Sequence, residues 1–157
     1  MNHNTIPVRE PAERVLIITR TLAAPRELVF KVWTQPEHLV RWWGPKDFTL
    51  PVCEQDFRPG GKYKFCMLAP DGFECWVWGE YREIVEPERI VFTWVRPPMD
   101  GLPERTNLVT VTFEAFGDKT NLTLHHALFL TTEDRDGHNV GWSQCMDRLV
   151  AYAEAAH

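Results

Sequence analysis

At 157 residues, with 44% hydrophobic and 25% charged residues, the chain is long enough to bury a core as one domain and too apolar to be disordered over most of its length. A net charge of −5 and a pI near 5.7, with no long run of Lys and Arg, argue against a phosphate-neutralising surface and so against nucleic acid as a partner. No stretch is apolar for the roughly 18 residues of a membrane span, and Met1-Asn2-His3-Asn4 has no charged-then-apolar leader layout, so the expected setting is the cytoplasm.

Residues 1–13 read as a flexible N-terminal extension and 14–157 as a single domain. Arg14 to Thr21 predicts a first strand, because Val15-Leu16-Ile17-Ile18 is rich in β-branched residues. Pro25 then suits the first position of a helix whose apolar stripe is Leu28, Val29, Val32 and Trp33. A second short helix starts at Pro36, uses Leu39, Trp42 and Trp43, and is stopped by Gly44-Pro45. Arg58-Pro59-Gly60-Gly61 reads as a turn between strands rather than a phosphate cradle.

The next strands can be placed by register. Ala69-Pro70-Asp71-Gly72-Phe73 fits a three-residue hairpin loop, with glycine in the left-handed position. Pairing Ala69 with Phe73 sets Met67 opposite Cys75, Phe65 opposite Val77 and Tyr63 opposite Gly79, all on one face. A turn at Gly117-Asp118 pairs Phe116 with Lys119 and sets Phe113 opposite Leu122, Val111 opposite Leu124 and Val109 opposite His126. Between these hairpins a turn at Glu86 to Arg89 is expected to bring Tyr81 towards Trp94, with Ile90, Phe92 and Trp94 inward. Side chains alternate with period two, so these agreements define one continuous concave face that a one-residue slip would destroy.

The chain closes with Trp142, Cys145, Met146, Leu149, Tyr152 or Ala153, and Ala156 at spacings of three and four, an amphipathic helix with one buried stripe. It can begin as early as Thr132, although Gly137 weakens that first part.

In order and spacing, several motifs act together: Ala24-Pro25 after the first strand, Trp42-Trp43-Gly44-Pro45, Asp56-Phe57-Arg58-Pro59-Gly60-Gly61, Pro70-Asp71-Gly72, Gly79-Glu80-Tyr81, Ile84-Val85-Glu86-Pro87-Glu88-Arg89-Ile90 and Gly141-Trp142. Over roughly Val15 to Ala156 the sequence thereby resembles the Hsp90-ATPase-activator-homologue family of the START-like (Bet v 1-like, SRPBCC) superfamily. The resemblance implies an α+β helix-grip fold: a curved antiparallel sheet of six to seven strands around a long C-terminal helix, with two short helices after strand one. It also implies a ligand cavity between sheet and helix; no cofactor is expected. Relatives in the superfamily include lipid carriers, polyketide cyclases and an Hsp90 co-chaperone, so fold alone does not decide function.

The inward set Tyr63, Phe65, Met67, Val77, Tyr81, Phe92, Trp94, Val111, Leu124 and His126, with Trp142, Cys145, Met146 and Leu149 from the helix, either lines a cavity or fills a core. The resemblance favours the cavity, and with it a small apolar or aromatic ligand. A co-chaperone-like module for an Hsp90-type ATPase ranks second, since the eukaryotic activator carries a further N-terminal domain that Met1 to Glu13 have no room to supply. A cyclase-like enzyme ranks third, with His126 or Tyr81 moving a proton.

As a catalytic group, His126 competes with a hydrogen-bonded core histidine, which is the preferred reading because no carboxylate partner is identifiable. His125 should point to solvent, and Glu83 reads as a solvated carboxylate at the sheet rim more readily than as an acid–base partner of Tyr81. No metal-ligand spacing, Gly-x-Ser-x-Gly elbow or Cys-x-x-Cys occurs, so the reading is a binding domain without a catalytic constellation or a metal. Cys66 and Cys75 fall on opposite faces and are not expected to form a disulfide. Trp76 and Trp78 take the outward parity, with Lys64 expected across Trp78. This outer patch is either a homodimer or partner surface or a face covered by the loop Met99 to Arg105.

Overall fold

A computed structural model describes residues 14–157; the N-terminal extension read at 1–13 lies outside the described residues. Strand β1 (Leu16–Leu22) leads into α1 (Arg26–Thr34) and α2 (Pro36–Trp42), followed by β2 (Thr49–Gln55), β3 (Lys62–Leu68), β4 (Glu74–Val85), β5 (Arg89–Arg96), β6 (Arg105–Phe116), β7 (Lys119–Ala127) and α3 (Thr132–Ala156). The strands form one antiparallel seven-stranded sheet in the order β1-β7-β6-β5-β4-β3-β2. The helix-grip α+β architecture is therefore the fold of the chain. Its buried α3 residues Trp142, Cys145, Met146, Leu149 and Ala153 join the inward sheet residues in one core.

Both hairpin registers agree with the sequence reading. Phe65 faces Val77 and Met67 faces Cys75 across β3 and β4, while Val111 faces Leu124 and Val109 faces His126 across β6 and β7. At the first hairpin the Gly72 N–H donates to Ala69 O at 2.9 Å and Gly72 has φ +94°, the left-handed conformation that glycine adopts without a Cβ penalty. Cys66 stands opposite Trp76, so Cys66 and Cys75 project from different faces, and both are free thiols.

Three details differ from the sequence reading. Tyr81 pairs with Phe92 rather than approaching Trp94, because the hairpin pairs Val85 with Arg89 and a bulge between Tyr81 and Glu83 then shifts the register by one further residue. Lys64 does pair with Trp78 in register, but its Nζ lies 5.1 Å from the ring of Trp76, its diagonal neighbour. Pro25 is the residue before the first turn of α1 (φ −70°, ψ 150°), not its first member.

Strand β2, which no alternation in the sequence announces, is an edge strand with an irregularity between Thr49 and Val52 that accommodates Pro51. Helix α1 also buries Phe30, 1% exposed, against Phe57 and Phe113 at ring separations of 6.2 and 5.3 Å. Burying an aromatic side chain of this kind contributes roughly 1.5–3 kcal/mol.

The loop after α2 is hydrogen-bonded to α3. Arg148 Nη1 donates to the carbonyls of Gly44, Pro45 and Phe48 at 3.1, 2.9 and 3.1 Å, and the Gly44 N–H donates to Cys145 Sγ at 3.3 Å. That linkage explains why Trp42-Trp43-Gly44-Pro45 and Gly141-Trp142 belong to one structural unit. It brings Trp43 within 5.6 Å of Trp142, ring centre to ring centre.

Candidate functional site

The concave interior has two regions. In one, Tyr63, Phe65, Tyr81 and Phe92 meet Trp33, Leu39 and Trp43 around a void of about 10 Å³, space for no more than a water. In the other, a cavity of about 240 Å³ opens between α3, the loop after α2 and the segment joining β5 to β6. Its wall combines Trp43, Met67, Trp94, Met99, Trp142 and Cys145 with Arg96, Arg105, Asp134 and His138.

Of the residues read from sequence as a cavity wall, Met67, Trp94, Trp142 and Cys145 border this space. Tyr63, Phe65, Tyr81 and Phe92 border only the small void, and Val77, Val111, Leu124, His126, Met146 and Leu149 are packed into the core away from both. The reason lies in α3. Along α3, Cys145, Leu149 and Ala153 are buried against the sheet, whereas Gly141 is half-buried and Gly137 exposed, both bordering the cavity. A leucine at 149 fills the space against the sheet, whereas two glycines and a cysteine leave it open. A Cβ added at Gly137 would meet no other atom within 4 Å, and one at Gly141 would meet only Pro45 Cγ at 3.6 Å.

The polar groups around the cavity form two wired networks. In the first, Trp142 Nε1 donates to His126 Nδ1 at 3.0 Å, His126 Nε2 donates to Asn107 Oδ1 at 3.0 Å, and Asn107 Nδ2 donates to Leu128 O at 2.9 Å. An indole can only donate, so this network assigns the neutral tautomer with its hydrogen on Nε2. Complete burial holds His126 well below the usual histidine range. It is a satisfied core histidine screened from the cavity by Trp142, and neither ring nitrogen is available as a base.

In the second network, Trp94 Nε1 donates to His138 Nε2 at 3.2 Å and His138 Nδ1 donates to Asp134 O at 2.9 Å. Arg105 grips the Asp134 carboxylate with Nε at 2.8 Å and Nη2 at 3.2 Å, both side chains being nearly buried. Burial alone would raise the Asp134 carboxyl, but hydrogen bonds from His138 and Arg105, with the Arg105 charge, overcome it and hold the group well below the usual carboxylate range. The Asp134 N–H is capped by Thr131 Oγ1 at 3.0 Å, which fixes the first turn of α3 in spite of Gly137.

Sequence reasoning missed this second network and Arg96. The Asp134 to His138 spacing of four was the available signal, legible once α3 is known to start at Thr132.

Neither cysteine at the cavity is activated. Burial pushes the Cys145 thiol up to about 12, and burial also raises Cys75 although neighbouring Arg96 opposes it. Tyr81, raised by burial, donates to Gln55 Oε1 at 2.6 Å on the far side of the core. Glu83 is exposed and paired with Arg89 at 2.9 Å, a rim carboxylate. His125 is half-buried, as are Trp76 and Trp78 on the outer face. No group of three or more His, Cys, Asp and Glu capable of holding a metal ion occurs among the described residues. No helix among them is long and apolar enough to cross a membrane.

The geometry is that of a helix-grip protein with a tryptophan-walled cavity at one end of its concave interior. Residues 23–154 match the family described as Activator of Hsp90 ATPase homolog 1-like protein, and the chain belongs to that family. Among solved structures, a protein of Chromobacterium violaceum is similar at 30% identity, with a TM-score of 0.78 over 90% of this chain and 97% of that one. A protein of Silicibacter pomeroyi, described as AHSA1, superposes with a TM-score of 0.80 at 24% identity over 91% and 99% of the two chains. One from Nitrosomonas europaea does so at 0.77 and 24% identity over 93% and 97%. No curated protein matches the chain.

Proposed function

We propose that this protein binds a small, largely apolar molecule in the cavity between the sheet and the glycine face of α3. The observation that carries the reading is the cavity itself, about 240 Å³ and walled by Trp43, Trp94, Trp142 and Met67, with Gly137 and Gly141 supplying its volume. A dry cavity of about 150 Å³ is known to accept benzene, so this one has room for about one ring with a short chain. Its aromatic walls favour a planar occupant.

The test is a panel of small aromatic and aliphatic compounds titrated while intrinsic tryptophan fluorescence and Tm are followed, with Gly141→Leu as the filled variant. Saturable binding that Gly141→Leu loses is expected. If no compound of the panel binds the unmodified protein, the reading is wrong.

The family's description also carries the co-chaperone reading. Recovery of an Hsp90-type ATPase with stimulation of its turnover, and no compound bound in the cavity, would put that reading first. A cyclase-like role gains nothing from His126 or Tyr81, neither of which borders the cavity.

A further inference from the structure

We infer that the occupant of the cavity is a small organic acid, its apolar body packed against the tryptophans and its carboxylate seated on Arg96. The inference rests on the ligand-binding reading above and adds the charge of the ligand.

Two arginines border the cavity, and they are in different electrostatic situations. Arg105 is compensated by the two-point grip on Asp134. Arg96, equally buried at 6% exposed, has no carboxylate within 4 Å among the described residues. Its Nη1 donates to the Trp76 carbonyl, and its Nη2 lies 3.0 Å from Met99 Sδ, a weak acceptor. Asp100 borders the same space but is exposed, and the Asp134 carboxylate is taken up by Arg105 and His138. Cys75, beside Arg96, stays a thiol because burial outweighs the pull of the guanidinium, so it supplies no counter-charge.

A guanidinium cannot relieve its burial by losing a proton, so an uncompensated buried arginine is costly until an anion reaches it. Its planar fork matches a carboxylate with two parallel hydrogen bonds.

Position supports the same conclusion. Trp94 and Arg96 lie two residues apart at the end of β5, and both border the cavity. The strand repeat places such neighbours about 7 Å apart along one face. A ring resting on Trp94 and Trp142 therefore needs a chain of only a few atoms to bring a carboxylate onto Arg96.

The experiment compares 3-phenylpropionate with its neutral amide, 3-phenylpropionamide, on the unmodified protein by titration calorimetry. The pair differs in charge and scarcely in shape. The acid is expected to bind about tenfold to a hundredfold more tightly than the amide. Arg96→Gln should abolish that preference, the acid losing about tenfold or more in affinity while the amide loses far less, and Arg96→Lys should restore part of it.

Equal binding of acid and amide would overturn the inference and leave the apolar site standing. Absence of binding by both would overturn the inference, and the panel of aromatic and aliphatic compounds would then decide the ligand-binding reading by itself. If Arg96→Gln does not fold, the acid-to-amide ratio of the unmodified protein and the partial preference of Arg96→Lys still decide the matter.

Discussion

Protonating His126 should destabilise this protein by an amount that can be worked out. In the folded chain its Nδ1 accepts from Trp142 and its Nε2 donates to Asn107, so an added proton on Nδ1 would face the indole N–H with a second donor. Burial holds the folded-state value well below the ordinary one. In the unfolded chain the ring takes up its proton around pH 6.5.

The folded value is the depressed one, so the unfolded state binds more protons as pH falls and stability falls with it. The contribution is fully present above about pH 7.5 and declines by nearly 1.4 kcal/mol per unit once the pH is well below 6.5, for a total loss of about 2 kcal/mol by pH 5. Urea denaturation followed by tryptophan fluorescence at intervals from pH 7.5 to 5 measures it directly. His126→Gln should be less stable at pH 7.5, since it loses part of the network, but its stability should be flatter across the window by that same 2 kcal/mol. If wild type and variant lose stability in parallel, the assignment of His126 as a buried neutral donor–acceptor is wrong.

Gly137→Ala should raise Tm by about 2–4 °C, because it replaces a helix-interior glycine worth about 1 kcal/mol at a site where the new Cβ meets nothing; differential scanning calorimetry reads this, and a fall in Tm would contradict the open geometry. Arg105→Met leaves Asp134 as a buried carboxylate without its main partner and should cost about 3–5 kcal/mol in chemical denaturation. A loss below 1 kcal/mol would mean the pair is effectively solvated. Gly79→Ala places a Cβ 2.2 Å from Thr93 O and should prevent normal pairing of β4 with β5, visible as loss of cooperative unfolding; a stable, cooperatively folding variant would show that the strands do not approach so closely.

Much of the fold was legible in the chain because it depends on local and pairwise rules. Period-two alternation and two tight turns determine the β3–β4 and β6–β7 registers, and spacings of three and four determine the buried stripe of α3. Where a local irregularity intervenes, as at the bulge beside Tyr81 or the Pro51 edge strand, the pattern loses its phase and the register could not be read.

Parity also identified the inward residues but not which of them border empty space. Phe65 and Met67 share a face of one strand, yet the first is packed by Trp43 and Tyr63 and the second reaches the cavity. That difference depends on how much side-chain volume α3 presents opposite each position, glycine at 137 and 141 but leucine at 149. It also depends on three distant segments, around Trp43, Arg96 and Asp134, converging at one end. Charge compensation follows the same logic. Arg96 and Arg105 are each a single basic residue in the sequence, and only the docking of α3 places a carboxylate against one of them and leaves the other facing the cavity. Alternation determines which way a side chain points; what it meets there is a property of the assembled packing.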